Sequence, residues 1–240
     1  MTFPVPGQPL RFESLCDIEQ GVGARLATLS GEVRALHREI LLAFLTTGQP
    51  PHRNDLPPTD GLDRGDAFAQ LTGLDIVQLD ADGYVVVAYP FSGRPTGHTA
   101  QLDSPDNGTA PVLQAMCAID ALGIPLMTGL DGEISSSDPD DQQPIRVERR
   151  GDTWTWTPPD AAVLLAQSSG CGSAADLLCP TVTFHTSHQS AEEHLRTRPD
   201  LTGVVLEQTH ALTVARQSFG TLLHPDPDTA TTPPQTELRS

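Results

Sequence analysis

From Ala115 to Pro125 the chain reads Ala-Met-Cys-Ala-Ile-Asp-Ala-Leu-Gly-Ile-Pro, and Asp120 alone interrupts an apolar run. A segment this apolar has to be buried, so the fold must be built around it and the carboxyl goes inside with it. Read as a helix, positions i and i+3 share a face, which brings the Cys117 thiol to the Asp120 carboxyl. Burial strongly disfavours the ionised carboxylate, a cost most easily understood where the group is used. Cys179 has a second apolar setting, between Leu177-Leu178 and the strand-like Thr181-Val182-Thr183-Phe184. Either cysteine taken alone reads as a small hydrophobe. Two thiols and a carboxyl on apolar segments together suggest soft-metal or thiol chemistry.

Composition narrows the classes further. The 240 residues suffice for one large domain or two small ones with a real core. A net charge of −17 repels phosphates, so nucleic acid is not the expected partner. All 14 basic residues are Arg, which excludes a Schiff-base lysine and a Walker-type phosphate loop. The apolar runs are far too short to span a membrane, and the start shows no basic region followed by an apolar one, so a cytoplasmic location is expected. In a reducing compartment Cys16, Cys117, Cys171 and Cys179 are expected as free thiols, and no Cys-x-x-Cys pair supports a zinc ribbon. His185, His188 and His194 with Glu192 and Glu193 fit no zinc spacing. The run Asp138 to Asp141 reads as a solvated loop, and Trp154 and Trp156 as core or edge packing on a strand.

Along the chain, residues 1–29 read as a proline-rich lead-in and a helix from Arg11 to about Leu29. Ser30 caps a second helix with Val33, Leu36, Ile40, Leu41, Phe44 and Leu45 on one face, ended by Gly48-Gln49-Pro50-Pro51. A short helix over Asp63–Leu71 is followed by a hairpin, Ile76–Leu79 and Tyr84–Tyr89, across the turn signal Asp80-Ala81-Asp82-Gly83, with Pro90 closing it. Helices leading into a β-hairpin make 30–91 resemble a winged-helix module. Residues 92–110 read as a loop into a second unit, 92–223. There, strands are expected at 133–136, 145–148, 153–156, 181–186 and 204–206, and helices around Cys117, over Asp160–Gln167, from Ser190 as cap, and over Thr209–Leu223. Residues 224–240 read as a disordered tail.

The run 115–125 resembles the first catalytic segment of the alkylmercury (organomercurial) lyase family, MerB. Other segments agree in order: Tyr89-Pro90-Phe91-Ser92 with Pro95-Thr96-x-His98, Ile134-Ser135-Ser136 and Pro144-Ile145. Leu178-Cys179 leading to Val182-Thr183-Phe184, Ala191-Glu192, and Phe219-Gly220-x-Leu222-Leu223 complete the series. The resemblance spans about 30 to 223 and is firmest over 84–223. It implies an α+β chain, with an N-terminal winged-helix-like module followed by a mixed α/β catalytic domain. It further implies Cys117 and Cys179 as mercury-binding thiols and Asp120 as the proton-handling carboxyl. The activity implied is protonolysis of R–Hg⁺ to R–H and Hg²⁺ on a small organomercurial, with no cofactor and with release to small thiols or a mercuric reductase. Met116 and Pro180 stand where some members carry Trp and a second Cys. Asp138 falls near a further family cysteine, and Cys16 and Cys171 have no assigned role. Two other readings remain beside the lyase: the same site reused for other thiol or acid–base chemistry in biosynthesis, and a winged-helix regulator or mercury sensor. Against the regulator, residues 54–72 hold a single basic side chain, Arg64.

Overall fold

A computed structural model describes residues 22–59, 61–104, 110–168 and 173–223. The lead-in, the tail, Cys16 and Cys171 lie outside the described residues. Among the described residues no helix is long and apolar enough to cross a membrane.

The first part is helical: α1 (Val22–Leu26), α2 (Gly31–Thr47) and α3 (Arg64–Gly73). The expected face of α2 is inward, with Val33, Leu36, Ile40, Leu41 and Phe44 buried. Gly48 ends it at φ 68°, a left-handed conformation that glycine adopts without steric cost. Asp63 caps α3 by accepting from Gly65 N at 2.7 Å. The hairpin follows as β1 (Val77–Leu79) and β2 (Val85–Ala88), its turn held by Asp80 Oδ1, which accepts from Tyr84 N at 2.8 Å. Pro90 does not end the sheet. The chain reverses there into β3 (Phe91–Ser92), which pairs antiparallel with β2, and Phe91 stacks on Phe44 at 5.3 Å between ring centres.

Two antiparallel sheets and four helices make up the rest. The five-stranded sheet runs β5 (Leu113–Gln114), β4 (Thr99–Leu102), β6 (Gly132–Ser137), β7 (Pro144–Arg150) and β8 (Thr153–Thr157). The stretch 92–110, expected as loop, thus contributes a strand, because Ala100 and Leu102 face the core while Gln101 faces out. The second sheet is β10 (Val182–His185), β9 (Ala162–Ser168) and β11 (Leu201–Leu206). Helices α4 (Ala118–Thr128), α5 (Ala174–Leu177), α6 (His188–Thr197) and α7 (Gln208–Phe219) lie among and over these sheets.

The helix expected over Asp160–Gln167 is β9, the central strand, bonded to β10 on one side and β11 on the other. Ala162 to Ala166 are buried on both faces, so the run shows no alternation, and periodicity cannot separate such a strand from a buried helix. The cap of α6 is Ser187, whose Oγ accepts from Ser190 N at 3.1 Å; Ser190 lies one turn inside. Asp138 is no solvated loop residue: it is fully buried. Its Oδ2 accepts from Thr186 N at 2.8 Å, Thr186 Oγ1 at 3.1 Å and Ser190 Oγ at 2.8 Å, tying the end of β6 to the β10–α6 junction. Burial raises its pKa, but these bonds and His185 outweigh it and hold the carboxylate ionised.

One apolar core runs from Val22 to Phe219 and includes α2, α3, α4, α7 and the inner faces of all three sheets. Gly123 in α4 sets the approach of α7, because a Cβ there would lie 2.3 Å from Phe219 Cδ2. Gly123→Ala must therefore push α7 outward. The expected cost is about 1–3 kcal/mol, measurable as a lower midpoint in urea unfolding.

Candidate active site

The segment before α4 is fastened on three sides. Ala115 N donates to His98 O at 2.9 Å, Met116 N to Pro90 O at 3.0 Å, and Thr96 Oγ1 to Ala115 O at 2.5 Å. Thr96 and His98 therefore act on the backbone that delivers Cys117. Cys117 is extended, with φ −157°, and is the N-cap of α4 rather than a residue of its first turn. Its Sγ accepts from Asp120 N at 3.5 Å, and its thiol donates to Asp120 Oδ2 at 2.6 Å. Cap and third helical residue thus engage each other twice, through the backbone N–H and the carboxyl of Asp120, both on the one sulfur. The expected meeting of thiol and carboxyl occurs, through the cap instead of along a helical face.

Cys179 arrives from a different part of the chain. It opens a short 3₁₀ turn, Cys179–Thr181, between α5 and β10. Thr181 Oγ1 donates to Ala166 O at 2.6 Å, anchoring the turn to β9. Cys179 Sγ lies 3.9 Å from Asp120 Oδ2, and the two sulfurs and the carboxyl oxygen all fall within 4.8 Å of one another. Both cysteines are free thiols. All three residues are at most 4 % exposed.

This burial sets the electrostatics. It pushes Asp120 up to about 7, the hydrogen bonds from Cys117 and from the backbone only partly opposing it. Burial likewise raises the Cys117 thiol well above its ordinary value, helped by hydrogen bonding to Cys179 and by the Asp120 charge. For Cys179 the bond with Cys117 pulls the thiol down, yet burial and the Asp120 and Asp75 carboxylates raise it overall. Tyr89 Oη lies near Cys179 and favours its thiolate slightly, while having no hydrogen-bond partner of good geometry. Asp120 Oδ1 is also buried without a partner. Two unpaired oxygens inside an apolar core are costly, and at this position they leave room for a reacting group.

A cavity of about 410 Å³ opens beside the cluster, and Met116, Cys179, Pro180, His98, Ser136 and Gln142 are among the residues that line it. It reaches Cys179, while Cys117 and Asp120 do not line it. His98 hydrogen bonds through Nδ1 to Ser136 Oγ at 2.9 Å, and burial pulls it to about 4, so it is neutral in ordinary buffers. The His185 group is elsewhere. Its ring packs 5.1 Å from that of His194, and Asp138 and Asp140 lie close by. The hydrogen bonds already taken by Asp138 make this a structural strut.

The sequence matches the alkylmercury lyase family, MerB, over residues 91–220, a span that contains Cys117, Asp120 and Cys179. The chain belongs to the alkylmercury lyase family. Its activity is that of a carbon–mercury lyase. The fold agrees: the crystal structure of the mercury-bound form of MerB2 superposes with a TM-score of 0.68 at 21% identity, covering 84% of this chain and 96% of that one. No curated protein matches the chain in sequence.

Two residues of this lyase that sequence reasoning passed over stand near the site. Tyr89 enters the sequence reading as the end of a strand and as part of the resemblance segment 89–92, with no role of its own, and Asp75 does not enter it; neither carries a local signal, since both act across the fold.

Asp120 gives a stability test. Its folded pKa of about 7 exceeds its ordinary 3.8, so the folded state keeps a proton that the unfolded chain has lost. Its contribution is therefore most favourable below 3.8 and is lost as pH rises through about 7. Asp120→Asn, which cannot ionise, should gain on the parent by up to about 4 kcal/mol as pH rises from 4 to 8. Urea midpoints of the pair compared across that range read the widening gap.

Proposed function

We propose that Cys117, Cys179 and Asp120 carry out the carbon–mercury cleavage, and that the cavity beside Cys179 admits the organomercurial. The convergence of two buried thiols on one buried carboxyl, all within 4.8 Å, carries this reading. The cavity reaches Cys179 and not Cys117, so Cys179 captures first: its sulfur bonds mercury in R–Hg–X, and its proton leaves with X. Cys117 then gives its proton to Asp120 and binds mercury as thiolate. Two sulfurs on mercury push electron density into the Hg–C bond, and thiolates are the soft donors this metal prefers. Asp120 returns the proton to carbon, R–H departs, and Hg²⁺ stays on the two sulfurs. Asp120 is thus base and then acid, which a pKa near 7 allows, and its unpaired Oδ1 is free to face the carbon.

Mercury keeps its oxidation state throughout, so the sequence of steps draws on no cofactor. Two external thiols exchange with Cys117 and Cys179 to release the metal, and a thiol buffer or a mercuric reductase can accept it. Both thiols must stay reduced, which fits a thiol-rich compartment such as the cytoplasm. Residues 30–91 serve in this reading as a winged-helix-like scaffold behind the catalytic part, whose Phe91 and Pro90 carry the backbone that places Cys117.

The deciding assay is release of methane or benzene from methylmercury or phenylmercury with excess thiol. Cys117→Ser and Cys179→Ser should each lose about 100-fold or more in kcat, and Asp120→Ala about 100- to 10,000-fold. Full activity in either cysteine variant sinks the proposal. Because Asp120 must be ionised to take the Cys117 proton, the single-turnover rate should rise with pH through about 7. Stopped-flow or quenched-flow rates from pH 5 to 8.5 check the direction.

A further inference from the structure

Cys179 sits on a short segment whose N-terminal end is held from another part of the chain. Ser173 caps α5, but its hydroxyl donates to Asp176 Oδ2 at 2.7 Å and makes no cap bond to the backbone. The first N–H groups of a helix have no partner within it, and here Ala174 N finds one in Asp75 Oδ2 at 2.8 Å. Asp75 lies in the turn between α3 and β1, at φ 49°, a left-handed conformation that Asp tolerates better than most residues. Its backbone is clamped by Arg25, whose Nη1 donates to Leu74 O at 2.7 Å and Asp75 O at 3.0 Å. Its other carboxylate oxygen accepts from Gln78 Nε2 at 3.1 Å. The carboxylate is therefore a fixed post.

From Ala174 the connection to the reactive sulfur is a chain of local bonds. Leu178 N donates to Ala174 O at 3.0 Å, and Thr181 N to Leu178 O at 3.0 Å, with Cys179 between them. Ala174 is buried, and Ala175 lines the cavity. A shift at Ala174 is thus transmitted to Cys179 and to one cavity wall together. At the other end of the segment β9 holds on, Ser168 Oγ donating to Leu177 O at 3.2 Å and Thr181 Oγ1 to Ala166 O, so Asp75 holds the N-terminal end of α5 while β9 holds its C-terminal end.

We infer that Asp75 is a positioning residue for the lyase reaction, holding the α5 segment through Ala174 N so that Cys179 stands within reach of Cys117 and Asp120. This rests on the reading of Cys179 as a mercury-binding thiol. Capture by one sulfur needs little geometry, whereas joint ligation by two needs both in place. Loss of the Asp75 bond should therefore lower kcat and leave KM nearly alone.

The test uses the full chain and phenylmercury, with kcat, KM and thermal unfolding measured on each variant. Asp75→Ala is expected to lose about 10- to 100-fold in kcat, the scale of a small misplacement of a reacting group, with KM within about threefold of the parent. Asp75→Asn keeps an acceptor oxygen and a residue that tolerates the left-handed turn, and should restore kcat to within about threefold. Ala174→Pro removes the N–H at the first helical position, where proline is accommodated, and should reproduce the loss with Asp75 intact. It also serves if Asp75→Ala fails to fold. Parent activity together with a dead Cys179→Ser establishes the underlying reading independently. If the parent releases no benzene, the thiolate–mercury absorbance of each variant with Hg²⁺ alone reports joint ligation instead. Unchanged kcat in Asp75→Ala, or an Asp75→Asn as impaired as Asp75→Ala, overturns the inference.

Discussion

A thiol donating to a carboxyl out of reach of water, at the first turn of α4, sets the terms for its surroundings. The Cys117–Asp120 bond is short, and both groups are buried. In that setting neither group ionises at its ordinary pH, and each shift depends on the same wall of apolar side chains. Opening the wall would return Asp120 to the carboxylate range and, in the proposed reaction, make it a poor acid toward carbon. The core that raises the carboxyl is the core that holds the protein together, so stability and proton chemistry draw on one set of contacts.

The second sulfur comes from a turn beside a different sheet, by a different device. Cys117 is delivered by an extended strand pinned at Pro90, Thr96 and His98, and Cys179 by a short helical turn pinned at Ala166 and Asp75. Two soft ligands from separate elements can close on a metal and let it go without either element unfolding. The cavity reaching Cys179 alone gives the pair an outer and an inner member, an asymmetry suited to stepwise exchange of a thiophilic ion.

Much of this was legible in the chain. The pairing of Cys117 with Asp120 follows from local spacing, and the hydrophobic face of α2 from its periodicity. Capping by Cys117 was missed because sulfur is a rare cap and the apolar run conceals where the helix starts. Strand β9 was misread because burial on both faces erases alternation. Asp138 looked solvated among its acidic neighbours, and only the fold brings Thr186 and Ser190 to it. Cys179 needed the family resemblance, since nothing local says that a sulfur sixty-two residues away meets the first. The bond from Asp75 to Ala174 spans a still longer separation and has no sequence signature at all.

The close seat of Phe219 on Gly123 also has a consequence in time. Helix α7 is the last described element of the chain, and it packs on the helix that carries Asp120. During synthesis both sulfurs emerge before it does, and domains fold as units once their parts are available. Until α7 docks, the flank of α4 at Gly123 remains uncovered. The cover over α4 is therefore completed late, after the elements that carry both sulfurs.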